Sequence, residues 1–171
     1  MLKNFRRKSL QKRITSYVSE RDLSGVNSKI RTLGFIVDEG LFSDFEVLFG
    51  YAKTLGLQPK NVKVFSYIES KKKLPTLRQN QVYNKDFNWK GELQNANAID
   101  FLNQEFSVLV GYYSGTHEFL DLLVAGSKAQ FKVGFSQADE RLYDLLVGVS
   151  EKDPAALAIE LKKYLTILNK L

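Results

Sequence analysis

The chain has 171 residues, a formal net charge of +6 and no cysteine. This length allows one domain with a substantial core, and the lack of cysteine excludes disulfides and thiolate catalysis. A single histidine argues against a zinc site of the His/Cys type, and we expect no metal and no cofactor. No apolar run is long enough to span a membrane, so we expect a cytoplasmic protein with no membrane partner.

The positive charge is concentrated in two segments. Residues 1–31 contain nine Lys or Arg against two acids, and residues 60–90 contain eight against two. The rest of the chain contains eight basic residues against fifteen acids. An acidic body with two basic segments favours a polyanionic partner, with ordinary surface charge as the alternative.

The first segment, MLKNFRRKSLQKRITSYV, predicts a helix of about eighteen residues with a narrow apolar stripe. The stripe would dock on the body or on a partner. Its other faces would present basic side chains, which suit phosphate groups. These predicted RNA-binding residues are Lys3, Arg6, Arg7, Lys8, Lys12 and Arg13. We therefore divide the chain into a basic helix and linker over 1–30 and a single α/β domain over 31–171.

The N-terminal segment has three alternative interpretations. A secretory signal requires a continuous apolar region, which the interrupted pattern of Leu10, Ile14 and Val18 does not provide. A mitochondrial transit peptide is basic, amphipathic and poor in acids, and residues 1–19 fit that description. A membrane-surface helix would need a broader apolar face than this stripe supplies.

Strand and helix patterns then alternate along the chain. Leu33–Val37 is a buried-strand pattern, and 62–68 is a second one. The spacing of apolar residues over 42–56 predicts a helix between them. Ser43 and Glu46 suggest a capping box at its start, and Gly56 suggests a cap at its end.

Residues 70–100 form a long polar excursion, within which VYNKDFNW suggests a short edge strand. Cations mixed with aromatic residues suit irregular RNA, where unstacked bases are available. The alternative is a solvated loop whose aromatic residues pack on the body. The predicted RNA-binding residues here are Lys71, Lys72, Lys73, Arg78, Trp89 and Lys90.

The remaining segments complete the alternation of strands and helices. Strands are predicted over 106–113, 131–135 and 142–149, and helices over 116–129 and 153–171. Asp153 and Pro154 fit the cap and first position of the last helix. The chain is therefore predicted to be an α/β protein with three layers and a mostly parallel, five-stranded sheet, flavodoxin-like or Rossmann-like in outline.

Ligands of such sheets bind at the carboxyl ends of the strands. A hydrolase-type site would use His117 as base, Ser114 or Thr116 as nucleophile and Asp38 to orient the imidazole. However, the chain has neither a G-x-S-x-G elbow nor a glycine-rich phosphate loop. The pair Asp38 and Glu39 supplies only half of a magnesium site.

Four stretches carry a resemblance to a known family: KNVKVFSY (60–67), KDFNWKG (85–91), SKAQFKVGF (127–135) and ELKKYLTILNKL (160–171). With these, the chain resembles an uncharacterised family of small flavobacterial proteins, which supplies no activity and no catalytic residues. In size and basic N-terminal arm it is also similar to a lineage-specific protein of the large ribosomal subunit in those bacteria. That likeness implies a peripheral seat on ribosomal RNA, since the body is acidic.

We therefore expect a bacterial, ribosome-associated or ribosomal protein that binds structured RNA and has no enzymatic activity. One alternative is a protein–protein adaptor whose apolar stripe packs into a partner's groove. The other is a small-molecule or hydrolase-type enzyme that uses the loops at Asp38 and at Ser114–His117.

Overall fold

The computed structural model of the chain describes residues 1–75 and 77–171. Six parallel strands form one sheet in the order β3-β2-β1-β4-β5-β6. The strands are β1 (Leu33–Asp38), β2 (Val62–Ile68), β3 (Gln81–Tyr83), β4 (Val108–Tyr112), β5 (Lys132–Phe135) and β6 (Leu145–Val147). This is the Rossmann order, in which the direction of strand addition reverses between β1 and β4.

Helices cover both faces of the sheet. They are α1 (Leu2–Glu20), α2 (Phe45–Phe49), α3 (Tyr51–Leu55), α4 (Ala96–Asn103), α5 (Glu118–Gly126) and α6 (Pro154–Ile167). One apolar core lies under α1, α4 and α5, and the other lies under α2, α3 and α6. In β1, Ile36 joins the first core, whereas Phe35 and Val37 join the second. Burial on both faces explains why the central strands are apolar without alternation.

The prediction of a three-layer α/β protein is confirmed, and the sheet has six strands where five were expected. The additional strand, β3, is three residues long and pairs with Ser66–Ile68 at the edge of the sheet. The short edge strand suggested by VYNKDFNW (82–89) overlaps β3 at Val82 and Tyr83 and is confirmed there, although so short a strand has no periodicity of its own. Without β3, the five expected strands lie in the flavodoxin-like order, and β3 extends that order to the Rossmann-like one.

Several local predictions differ from the structure at glycine or in polar segments. The helix expected over 42–56 is divided at Gly50 into α2 and α3, because glycine weakens a helix interior. No side-chain hydrogen bond caps α2, so the capping box of Ser43 and Glu46 is not formed. The left-handed cap at Gly56, with a φ of 70°, is confirmed.

The predictions for the C-terminal part of the chain are confirmed in part. The Asp153 side chain accepts a hydrogen bond from the Ala156 N–H and caps α6, as expected. The strand expected over 142–149 is reduced to β6, since Glu140–Leu142 forms a 3-10 turn. Helix α4 was not predicted, because its eight residues are too few for a clear helical period and they end a longer polar stretch. Its signal is Asn95, whose side chain accepts from the Ala98 N–H.

Helix α1 is packed on the body. Leu10 and Ile14 are completely buried in the core beneath α1. Arg6 contacts Glu118 near the start of α5, and Tyr17 lies against Gly126 at its end, so the two helices run side by side in the same direction. The sequence left open whether the apolar stripe docks on the body or on a partner. Its central residues, Leu10 and Ile14, pack on the body. No helix of the described residues has the length and apolar character needed to cross a membrane.

Candidate nucleic-acid interface

All six strands end at the same edge of the sheet, here called the carboxyl edge. Lys71, Lys72 and Lys73 follow the end of β2 at this edge. The loop before them is fixed there, because the Ser70 N–H donates to the Asn84 side chain at 2.8 Å and the Asn84 amide donates back to the Ser70 carbonyl at 2.9 Å. The second basic segment thus begins at the carboxyl edge.

Helix α1 brings the first basic segment to the same edge. A cavity of about 300 Å³ separates the start of α1 from the loop that follows β4 and from the first turn of α5. Its lining residues are Lys3, Asn4, Arg7, Gln11, Thr116, His117, Glu118 and Asp121. The tertiary fold therefore places cations from two distant parts of the sequence at one edge.

His117, the proposed base of a hydrolase site, is the N-cap of α5. Its Nδ1 accepts hydrogen bonds from the backbone N–H groups of Phe119 at 3.3 Å and Leu120 at 3.2 Å. An accepting Nδ1 carries no proton, so the neutral ring has its proton on Nε2. Asp38, whose Oδ1 accepts from the Gly40 N–H at 3.0 Å, cannot orient the ring through an Nδ1 proton. The triad considered from the sequence is not assembled in this arrangement.

Aromatic rings fill the crevice between β1 and β4, where this strand order commonly holds a ligand. The ring of Phe42 lies 4.9 Å from that of Tyr112 on one side of the sheet. The ring of Tyr67 lies 5.0 Å from that of His117 on the other side. Together with the lack of a glycine-rich loop, this packing provides no cradle for a dinucleotide at the crevice.

A buried polar chain supports the loop after β4. The Tyr113 hydroxyl donates to Asp121 Oδ1 at 2.6 Å, and the Tyr143 hydroxyl donates to that of Tyr113 at 2.8 Å. Asp121 Oδ2 accepts from the His117 N–H at 3.1 Å. Burial raises the pKa of Asp121 and the pKa of both tyrosines. Since the two carboxylate oxygens are both hydrogen-bonded, this chain orders the loop.

Three of the predicted phosphate ligands are arginines that already contact a carboxylate of the same chain. Their pairs are Arg6 with Glu118 at 3.7 Å, Arg13 with Glu92 at 3.2 Å and Arg78 with Glu39 at 2.8 Å. Arg6 also lies over the Phe119 ring, and Arg78 over the Phe45 ring. These arginines join elements of the fold. Because a nearby carboxylate partly offsets the field of each cation, they attract an anionic partner less strongly.

Seven other predicted ligands are exposed cations. Within the described part of the chain, none of their side chains makes an ion pair or a hydrogen bond. They are Lys3, Arg7, Lys8, Lys12, Lys71, Lys72 and Lys73. Positive charge that is not neutralised within the protein is available to an anionic partner.

Trp89 and Lys90 lie at the tip of a small hairpin closed by a bridge between Phe87 and Leu93. The Lys90 Nζ is 5.3 Å from the centre of the Trp89 ring. Trp89 is 57% exposed and contacts Phe5, which is also 57% exposed, with ring centres 6.0 Å apart. The apolar stripe predicted for this helix included Phe5 together with Leu10, Ile14 and Val18, and no contact with Trp89 was expected. The position of Phe5 about 140° around the helix from Leu10 was the available signal that it faces elsewhere.

Other aromatic residues of the 70–100 excursion pack on the body. Phe87 is buried, with its ring 4.6 Å from that of Phe119, and Tyr83 is buried in β3. The Asn95 amide also donates to the Gln81 carbonyl at 3.2 Å, so the excursion is tied to β3. The expectation of a loop with packed aromatic residues fits Tyr83 and Phe87 but not Trp89.

The fold and these surfaces define a three-layer α/β protein of Rossmann-like strand order with a cationic carboxyl edge. No group of His, Cys, Asp or Glu among the described residues is arranged to hold a metal ion. The chain belongs to a family described as a family of unknown function (DUF6913), whose match covers residues 5–168 and so includes most of α1. No curated protein and no solved structure matches the chain.

Proposed function

We propose that the protein is a cytoplasmic RNA-binding module that docks on structured RNA, with ribosomal RNA as the candidate. The single observation that carries this proposal is the set of seven exposed cations on α1 and after β2. Three arginines of the same two basic segments, by contrast, already pair with carboxylates of the chain. Phosphates of an RNA backbone would release counterions on meeting these seven side chains.

The arrangement favours a polyanion over a small acidic ligand. Lys8 and Lys12 face solvent on α1, while Lys3 and Arg7 face the cavity beside α5. A surface with charges spread over a helix and a neighbouring loop suits a backbone that presents phosphates at intervals. Such contacts position a protein and carry little sequence specificity. Because the rest of the chain is acidic, the RNA would touch only this part of the molecule.

A charge-matched pair of variants tests this proposal. The test variant changes Lys3, Arg7, Lys8 and Lys12 to Gln. The control changes Lys53, Lys60, Lys128 and Lys162 to Gln, which removes the same charge from exposed positions away from the carboxyl edge. Affinity for a folded RNA fragment is measured by fluorescence anisotropy at several salt concentrations.

We expect the test variant to bind at least tenfold more weakly and to reduce the salt dependence by up to about four counterions, one for each lost contact. The control should lose much less affinity. Equal losses in both variants would show that only net charge matters, and no binding by the wild type at low salt would overturn the proposal.

The ribosome itself is tested by co-sedimentation from a bacterial lysate at low and high salt. The wild type is expected in the ribosomal pellet at low salt and the test variant in the supernatant. Substitution is preferable to deletion of α1, because deletion would expose the core that Leu10 and Ile14 cover. A wild type that stays in the supernatant while binding free RNA would redirect the proposal to another RNA.

A further inference from the structure

We infer that Phe5 and Trp89 form a stacking platform for one unpaired base of the bound RNA. This inference rests on the proposed function and assigns the ligand of one part of that surface. The two rings are in contact, tilted by 33°, and each is 57% exposed. Two touching aromatic side chains that remain this exposed present more flat apolar surface than a solvated helix and hairpin require.

Hydrogen bonds and a close contact with α1 hold the hairpin tip beneath the platform. At the hairpin tip, the Asn88 side chain accepts from the N–H groups of Lys90 at 3.0 Å and Glu92 at 2.9 Å. Gly91 has a φ of 75° and lies so close to Leu10 that an added Cβ would come within 2.6 Å of that side chain. The tip therefore closes directly on α1, and this contact sets Trp89 beside Phe5. A preorganised ring loses little freedom when a base stacks on it.

The two rings are far more exposed than the core beneath them. Leu10 is fully buried and Phe87 is 5% exposed, whereas Phe5 and Trp89 are each more than half in solvent. An aromatic pair with this much exposed surface fits a binding surface.

Charge around the platform identifies the occupant. Lys90 lies over the Trp89 ring, and Lys8 and Lys12 follow Phe5 on the same side of α1, three and seven residues further on. An aromatic platform surrounded by cations complements a nucleotide, whose base stacks while its phosphates meet the lysines. A base inside a duplex cannot offer its face, so the occupant is an unpaired base in a loop, bulge or single strand.

Trp89 is the only tryptophan of the chain, so its fluorescence reports on the platform directly. The full chain is titrated with three probes: a short single-stranded oligoadenylate, an RNA duplex of the same number of phosphates, and vesicles of phosphatidylglycerol. Binding of each RNA is followed in parallel by the anisotropy of a label on the RNA. We expect both RNAs to bind, and only the single strand to quench Trp89 as binding saturates.

Two substitutions that leave the charge unchanged complete the test. Trp89→Ala should lower affinity for the single strand by about tenfold, the size of one lost base stack, and change affinity for the duplex less than twofold. Phe5→Ala, which keeps the fluorophore, should weaken the quenching. Ile159→Ala is the matched control, since Ile159 is 67% exposed on α6 in the opposite layer. It should change neither signal.

The outcomes separate this inference from the proposed function. If both RNAs bind without quenching and Trp89→Ala has no effect, the platform is wrong and the RNA-binding proposal stands. If neither RNA binds at low salt, both fail. Equal quenching by the duplex would overturn the assignment of an unpaired base. A blue shift of Trp89 emission with vesicles alone would identify a membrane surface as the occupant and overturn the inference.

Discussion

On the side of α1 that faces the body, Arg6 and Arg13 each lie beside a carboxylate from a distant part of the chain. On the side that faces solvent, Lys8 and Lys12 contact no acid among the described residues. These two pairs of cations carry equal formal charge within the same helix. One side joins α1 to α5 and to the 87–93 hairpin, whereas the other leaves its charge to the surroundings.

This difference shows that the number of cations in a segment does not measure its capacity to bind an anion. The relevant quantity is the charge that remains after internal pairing. Both paired cations of α1 are arginines, which agrees with the planar, multidentate geometry of the guanidinium, although Arg7 is exposed like the lysines. Three predictions about stability follow from this comparison.

The first prediction separates the two sides of α1 by their apolar residues. Leu10→Ala should lower the free energy of unfolding by about 3 kcal/mol, because it removes a completely buried side chain and leaves a cavity against the hairpin. Leu2→Ala, at a residue that is 80% exposed, should change it by less than about 0.5 kcal/mol. Urea denaturation measures both. Similar losses in the two variants would mean that α1 is not docked by this stripe.

The second prediction concerns Lys132, a cation buried inside the body. Its Nζ donates to the Val124 carbonyl at 2.6 Å, at the end of α5. Burial lowers the pKa of Lys132 to about 7. The nearby Arg21 cation adds to this shift, whereas Asp144 opposes it. Between pH 7 and the usual lysine pKa of 10.5, the unfolded chain therefore binds more protons at this residue than the folded chain.

The free energy of unfolding should consequently rise with pH in this window, by roughly 3 kcal/mol between pH 7 and pH 9.5. The cost of the buried charge is complete below pH 7 and is relieved as the pH rises. Lys132→Met should remove this rise, and Lys128→Met controls for the loss of a lysine nearby at an exposed position. Parallel pH profiles for the wild type and Lys132→Met would contradict the prediction.

The third prediction compares a paired and an unpaired cation directly. Arg6→Gln should lower the free energy of unfolding by less than about 1 kcal/mol, since its ion pair with Glu118 is partly exposed and screened. Lys8→Gln, which changes the same charge two residues further on and on the other side of the helix, should leave stability unchanged and instead weaken RNA binding. A double-mutant cycle of Arg6 with Glu118 isolates the pair. A coupling energy close to zero, even at low salt, would rule out a stabilising role for the pair.

Much of the fold followed from local patterns. The apolar runs of β1, β2 and β4 and the spacing in α6 are set by residues close together in sequence, and so are the caps at Gly56 and Asp153. The strand β3 was suggested only loosely, by VYNKDFNW, and its bounds could not be found in this way. It pairs only with Ser66–Ile68, and its three residues acquire their conformation from that neighbour. Helix α4 has a clear cap at Asn95 but too few turns for its period to stand out.

The candidate site was predictable in composition but not in arrangement. The sequence identified the two basic segments, and seven of the cations predicted there are exposed and make no ion pair among the described residues. It did not reveal that Arg6, Arg13 and Arg78 are engaged with acids of the same chain. It also gave no sign that His117 caps α5 with its Nδ1, because a histidine is an uncommon helix cap.

The sequence by itself determined most of the longer strands and helices and where the positive charge is concentrated, because periodicity and composition act over a few neighbouring residues. Only the tertiary structure decided which cations remain available and which aromatic rings meet. Arg13 and Glu92 are separated by 79 positions, and Phe5 reaches Trp89 because α1 lies between α5 and the hairpin. Such contacts depend on how buried apolar faces pack, since the packing of Leu10 and Ile14 fixes which sides of α1 meet an acid, a ring or the solvent.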